Sequence, residues 1–106
     1  MINIAINRAE GIITGFEIEG HSSYAKHGKD IVCAGISALS QAAILGLLSV
    51  AKADVDFNMH EGYILCEIKQ GDDKADAILD TMYLGIVEIQ RNYKDHINIK
   101  EVGTCE

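Results

Sequence analysis

A stretch of 21 residues without a formally charged side chain, IVCAGISALSQAAILGLLSVA (residues 31–51), sets the architecture of this chain. It is long enough to cross a bilayer. However, three serines and a glutamine interrupt it, and its flanks Lys29-Asp30 and Lys52–Asp54 carry neither a basic bias nor aromatic anchors. A helix that is apolar on nearly all sides within a soluble domain is buried on both faces. We therefore predict a core helix over residues 31–52 that also lines a subunit interface, and no membrane partner.

Alternating apolar and polar residues lie on both sides of this helix. Before it, residues 1–6 and 12–19 alternate with the period of half-buried strands and are separated by a glycine-containing turn. After it, residues 54–59 and 63–69 alternate in the same way around a turn at 60–62. Two strands joined by a short turn form an antiparallel hairpin, so one hairpin is expected on each side of the helix.

A second helix and a last strand complete the pattern. The helix begins at Gly71-Asp72-Asp73, where acidic residues suit the positive end of the helix dipole. Its apolar positions step by three or four residues as far as Tyr93, and Ile97, Ile99 and Val102 indicate a final strand. The predicted order is β-β-α-β-β-α-β, an α+β fold with an antiparallel sheet and two helices packed on one face. We expect residues 1–106 to form one domain.

The amino-acid composition favours some classes of function and argues against others. Apolar residues make up 48% of the chain and charged residues 24%, which is typical of a globular protein. The formal net charge is −7, and the nine basic residues are scattered. A nucleic-acid surface needs clustered positive charge, so direct nucleic-acid binding is not expected. An acidic surface is compatible with capture of a basic peptide.

The cysteine count and the start of the chain predict a cytoplasmic protein. The sequence opens on a strand pattern rather than on a signal peptide. Three cysteines at spacings that fit no disulfide framework indicate a reducing compartment. The spacings also lack the paired ligands of a zinc site, and no phosphate-binding glycine motif occurs, so neither a metal nor another cofactor is expected.

The segment Gly20–Gly35 carries the residues most suited to chemistry. It places His21 at the end of a strand, then a flexible loop, then Cys33 in the first turn of the core helix. Unpaired amides and the positive end of the dipole stabilise a thiolate there. If the loop doubles back, His21 comes within reach as a general base. The alternative is a surface histidine and a small cysteine that packs the helix against the sheet.

Two further residues have supporting roles or purely structural ones. Asp30 is positioned to cap the helix, or to orient the His21 imidazole. Ser37 lies one turn beyond Cys33 on the same helix face, where it holds the histidine or a substrate carbonyl, or simply packs. Cys66 alternates with core positions of its strand and is expected to be buried, and Cys105 near the end of the chain to be exposed.

These motifs resemble a known family. Five parts of the chain are similar to the signature of the ribosomal-processing cysteine proteases called Prp. They are Gly20-His21, Tyr24-Ala25, Gly28, the run Asp30–Ala34 and Ser37–Leu39. The similarity extends over the whole chain in length and element order. Ser22 and Gly35 stand where the family usually has alanine, and neither departure removes a functional group.

The resemblance implies a specific activity. Members of this family remove a short N-terminal extension from a large-subunit ribosomal protein precursor, number twenty-seven, by cleavage after paired aromatic residues. They are homodimers with an α/β sandwich fold. Carried over to this chain, the resemblance makes Cys33 the nucleophile and His21 the general base and acid, with Asp30 and Ser37 in supporting positions and residues 22–29 as a cover over the site.

Two other functions are compatible with the residues alone. One is a non-catalytic ribosome-assembly or substrate-binding module in which Cys33 only packs. The other is a thiol hydrolase or acyltransferase that acts on small molecules. Cleavage of an extended precursor peptide would distinguish the protease from both of these alternatives.

Overall fold

The computed structural model describes residues 1–20 and 31–104, and the predicted order β-β-α-β-β-α-β is confirmed. The strands are β1 (Ile2–Ala9), β2 (Ile12–Gly20), β3 (Asp54–His60), β4 (Tyr63–Gln70) and β5 (Ile97–Thr104). The helices are α1 (Ile31–Ser49) and α2 (Asp73–Asn92).

The five strands form one mixed sheet in the order β3-β4-β2-β1-β5. Three neighbouring pairs are antiparallel, as the alternation predicts, but β5 runs parallel to β1. The sheet is therefore not antiparallel throughout. The reason is the crossover through α2: β4 already points in the same direction as β1, and a helix returns the chain to the end where β4 began. A strand after such a crossover is parallel to the strand before it.

The core lies between one face of the sheet and the two helices. Ile4, Ile18 and Ile64 stand side by side across β1, β2 and β4, and all three are buried. The next row, Ile6, Phe16 and Cys66, is fully buried. Burial of two such rows is the main source of stability for this fold, and it places both helices on the same face, as predicted.

Helix α1 is shorter than predicted and ends at Ser49 instead of residue 52. The chain turns away because Lys52 adopts a positive φ of 53°, and the Ala53 amide donates back to the Leu47 carbonyl at 2.9 Å. By length and composition alone α1 could cross a membrane. In this fold it packs through six residues that are buried, listed along the helix as Val32, Ile36, Ser40, Ala43, Ile44 and Leu47.

Helix α2 begins where the acidic residues predict. The Asp72 carboxylate accepts hydrogen bonds from the amides of Lys74 and Ala75 at 3.0 and 3.4 Å, which is the usual role of an N-cap. Its buried positions Ala75, Leu79, Met82 and Ile86 face the core. The two helices approach closely at Gly85, where an added Cβ would lie 2.9 Å from the Leu39 side chain.

Gly20 ends β2 in a conformation that other residues adopt poorly. Its φ is +101°, and an added Cβ would lie 2.5 Å from the carbonyl oxygen of Met1. Gly11, in the β1–β2 turn, has a similar φ of +82° but no atom within 4 Å of such a Cβ. Adding a side chain at Gly11 therefore costs only the unfavourable backbone conformation, whereas adding one at Gly20 also causes a clash with the backbone.

We expect Gly20→Ala to lower the free energy of unfolding more than Gly11→Ala does. A non-glycine residue at positive φ costs about 1 kcal/mol. The clash with Met1 raises the loss at Gly20 to about 2–3 kcal/mol. Urea unfolding of both variants measures the difference, and equal losses would show that the start of β1 moves aside without cost.

Candidate active site

A cavity of about 340 Å³ lies beside the N-terminal half of α1. The helix lines it with Cys33, Ser37 and Gln41, which are spaced four residues apart and so share one flank of the helix. The predicted position of Cys33 and Ser37 on one face is therefore confirmed. The opposite wall belongs to the sheet.

The sheet side of the cavity comes from four strands and the β3–β4 turn. Ile2 of β1, Ile18 of β2 and Ile64 of β4 supply an apolar floor. The end of β3 and the β3–β4 turn supply the rim, residues 59–63. A hydrogen bond of 3.0 Å from the Gly20 amide to the Gly62 carbonyl joins this rim to the end of β2. An apolar floor with a polar rim is typical of a site for an apolar side chain of a ligand.

Cys33 is the third residue of α1 and is half-buried at the cavity. Its neighbours Val32 and Ile36 are 1% exposed and anchor this end of the helix in the core. The first four amides of a helix have no partner within the helix, and they carry the positive end of its dipole. The thiol therefore lies close to amides that can donate to a developing oxyanion.

Two of the predicted site residues, His21 and Asp30, lie outside the described residues, as do the segment 22–29 and Cys105. The predicted roles of His21 as base and of Asp30 as cap or orienting group stay predictions. Gly20, the residue that precedes His21 in the chain, does line the cavity that contains Cys33.

Ser37 lies at the cavity, and its backbone is hydrogen-bonded to a buried residue. It lines the cavity, and its carbonyl accepts a hydrogen bond from the buried Ser40 hydroxyl at 3.1 Å. The same hydroxyl lies 2.9 Å from the Ile36 carbonyl. These bonds satisfy the buried Ser40 within its own helix and leave the Ser37 side chain on the cavity flank.

The β3–β4 turn is a part of the site that the sequence alone does not indicate. His60 and Tyr63 stack with ring centroids 5.0 Å apart, and Glu61 stands between them at the rim. The Tyr63 hydroxyl donates to Glu17 at 2.5 Å, and this bond, with burial, raises the pKa of Tyr63. In the sequence, this turn is marked only by the alternation of the strands on either side of it. Its position beside Gly20 depends on the pairing of β4 with β2, which joins residues far apart in the chain.

Cys66 is the core cysteine that its alternation predicts. It is 0% exposed in the middle of β4. Burial, and to a smaller extent the nearby Glu67 charge, raises the pKa of the Cys66 thiol to about 11. A thiol held protonated inside the core is a poor nucleophile. Within residues 1–20 and 31–104, no three His, Cys, Asp or Glu side chains form a group that could hold a metal ion.

We expect iodoacetamide at pH 8 to label Cys33 and to leave Cys66 unlabelled in the folded protein. Cys33 opens onto the cavity, whereas Cys66 is buried and its raised pKa keeps it protonated at this pH. Peptide mapping by mass spectrometry of a Cys105→Ser variant measures both sites. Labelling in urea is the control, since both thiols should then react, and labelling of Cys66 before Cys33 under native conditions would contradict this assignment.

The sequence and structure of this chain match known proteins along nearly its full length. Residues 1–98 match the family model of cysteine protease Prp. A Bacillus subtilis ribosomal processing cysteine protease Prp is 32% identical over 108 residues, which cover 93% of this chain and 96% of the relative. A Staphylococcus aureus protein of the same name is also 32% identical and covers 92% of this chain and 94% of the relative.

Solved structures agree with the sequence matches. The S. aureus ribosomal processing protease Prp, in complex with a covalently linked product peptide, superposes with a TM-score of 0.88 at 28% identity. The match covers 95% of this chain and 99% of that protein. A Streptococcus mutans protein matches with a TM-score of 0.85 at 27% identity over 98% of this chain and 99% of its own. With a half-buried cysteine on the first turn of α1 and a cavity beside it, the chain belongs to the family of cysteine protease Prp, and it is a cysteine protease.

Proposed function

We propose that this chain is the endopeptidase that removes the N-terminal extension of a large-subunit ribosomal protein precursor, number twenty-seven, during ribosome biogenesis. The observation that carries this proposal is the position of Cys33, on the first turn of α1 and at the wall of an apolar cavity, in a chain of this family. The relatives that share the fold are named for ribosomal processing.

The proposed chemistry is thiol nucleophilic catalysis by a Cys33–His21 dyad. The Cys33 thiolate forms a bond to the scissile carbonyl carbon, and the carbonyl electron pair moves onto oxygen, where first-turn amides of α1 stabilise it. The tetrahedral intermediate collapses, and the leaving amine takes a proton from His21. His21 then accepts a proton from water, whose oxygen attacks the thioester. The products are the carboxylate of the extension and the regenerated thiolate.

The proximity of His21 to the site is supported by chain connectivity. Consecutive Cα atoms lie about 3.8 Å apart across a trans peptide bond. Gly20 lines the cavity that contains Cys33, and this supports the proposal that His21, the next residue in the chain, acts at that cavity. Asp30 and Ser37 are proposed as supporting residues, Asp30 next to the first turn of α1 and Ser37 one turn beyond Cys33.

The cavity supports a substrate with a large apolar side chain at the cleavage site. Its volume of about 340 Å³ and its floor of Ile2, Ile18 and Ile64 suit an aromatic ring. The family cleaves after paired aromatic residues, as the resemblance implies. The S. aureus relative has been solved both with a substrate peptide and with a covalently linked product peptide. Covalent attachment of this kind is expected when a protein nucleophile attacks the substrate.

Charge and exposed apolar surface support the proposed partners. A net charge of −7, with Glu61 at the cavity rim, favours the approach of a basic segment such as the start of a ribosomal protein. We propose a cytoplasmic homodimer without direct nucleic-acid binding. Leu45 and Leu48, which are 64% and 40% exposed on α1, support a second subunit because monomers rarely leave such residues together in solvent.

We expect the protein to cleave a precursor peptide after its paired phenylalanines, and Cys33→Ala to lose at least about 10³-fold in kcat/KM, since the nucleophile is gone. His21→Ala should show a similar loss. Chromatography and mass spectrometry of the products measure the rate and the cleavage position.

Cys105→Ser and His96→Ala are the matched controls, each removing the same side-chain type from a residue that is not part of the proposed dyad, and both should cleave like the wild type. Equal cleavage by wild type, Cys33→Ala and His21→Ala would end the proposal. Binding of the peptide without cleavage by any of these proteins would favour the non-catalytic module instead.

A further inference from the structure

Glu61 is the only Asp, Glu, Lys or Arg residue that lines the cavity within the described part of the chain. It lies in the β3–β4 turn, at the rim of the sheet side, and the helix flank that carries Cys33 forms the opposite wall. Its side chain is exposed, and no ion pair within residues 1–20 and 31–104 includes it. The Glu61 carboxylate is therefore available to pair with a cationic group of a bound ligand.

The turn that carries Glu61 is held in place on both sides. Gly62 completes the turn with a φ of +75°, which favours glycine, and its carbonyl accepts a hydrogen bond from the Gly20 amide at 3.0 Å. Tyr63, the next residue, is joined to Glu17 of β2 through its hydroxyl. A binding group on a backbone that is already fixed loses less conformational entropy when the ligand arrives. Glu61 thus starts from a defined position at the rim.

The cavity offers two kinds of chemistry at two depths. Its floor of Ile2, Ile18 and Ile64 suits an apolar side chain, and its rim carries the Glu61 carboxylate. In an extended peptide, neighbouring side chains point to opposite sides, whereas side chains two residues apart point to the same side and lie about 6.6 Å apart. A peptide that places one side chain on the floor therefore presents to the rim the residue two positions away.

We propose that Glu61 is a specificity-determining residue that binds a lysine or arginine side chain of the substrate. This substrate residue lies two positions from the apolar residue that occupies the floor. The inference goes beyond the general attraction that a net charge of −7 exerts, because it assigns selectivity to one carboxylate and one substrate position. It deepens the proposed function and rests on it, since it concerns the substrate of the same site.

The other hairpin of the chain offers a matched control. Glu10-Gly11 joins β1 to β2 in the same way that Glu61-Gly62 joins β3 to β4, and Glu10 is also exposed. The first of these turns lies at the start of β2, whereas the second is hydrogen-bonded to Gly20 at its end. Removing either carboxylate changes the net charge equally. A difference between the two variants therefore reports a local role of Glu61 and not the overall charge.

Cleavage of matched peptides measures the selectivity. The peptides carry lysine, or the uncharged norleucine, two residues before or two residues after the phenylalanine at the cleavage site. We expect the wild type and Glu10→Gln to prefer lysine in kcat/KM by about two- to fivefold at one of these positions, as for an exposed ion pair. Glu61→Gln should lose this preference, and Glu61→Lys should prefer a peptide with glutamate at that position. Circular dichroism checks that each variant is folded.

Peptide binding by the Cys33→Ala variant keeps the test independent of cleavage. Fluorescence anisotropy of labelled peptides measures the dissociation constants, with and without Glu61→Gln in the same background. Selective binding of the lysine peptide that depends on Glu61, together with no cleavage by the wild type, would support the role of Glu61 and count against the protease activity. Cleavage without a preference for lysine, or a preference that Glu10→Gln also removes, would overturn the role of Glu61 and leave the protease activity standing. Neither binding nor cleavage of any of these peptides would overturn both.

Discussion

The packing of α1 on the sheet is the constraint on which the site depends. Val32, Ile36, Ile44 and Leu47 are each at most 2% exposed, so the helix cannot rotate or slide without opening the core. This packing holds the first turn, with the Cys33 thiol and the N-terminal amides of the helix around it, at the wall of the cavity. A protease needs a nucleophile and oxyanion donors in fixed relative positions, because catalysis depends on geometry that exists before the substrate arrives. Here both come from one helix end.

Local patterns in the sequence account for the parts of the fold that depend on neighbouring residues. Alternation predicts the hairpins and the buried Cys66, and the acidic residues after Gly71 predict where α2 begins. Cys33 on the first turn follows from the uncharged helix. The parallel pairing of β5 with β1 could not be predicted this way, since it depends on where the α2 crossover returns the chain. The rim formed by His60, Glu61 and Tyr63 was missed for the same reason: it reaches Gly20 only through pairing of β4 with β2.

The β3 edge of the sheet and the active site share residues. The strand that supplies Met59 and His60 to the cavity is also the edge strand without an inward-pointing charge. The opposite edge has such a charge in Glu101, whose pKa is lowered by its hydrogen bonds with Tyr83 and Arg8, so it stays ionised.

The central claim is that Cys33 is the nucleophile of a peptide-binding site. The most direct test is covalent labelling with a peptide chloromethyl ketone that ends in paired phenylalanines. The mass of the intact protein gives the number of adducts, and peptide mapping gives the labelled residue. Our account predicts one adduct per chain, at Cys33, and none in Cys33→Ala. An adduct at Cys66 or Cys105, or continued peptide cleavage after Cys33 is fully labelled, would contradict it.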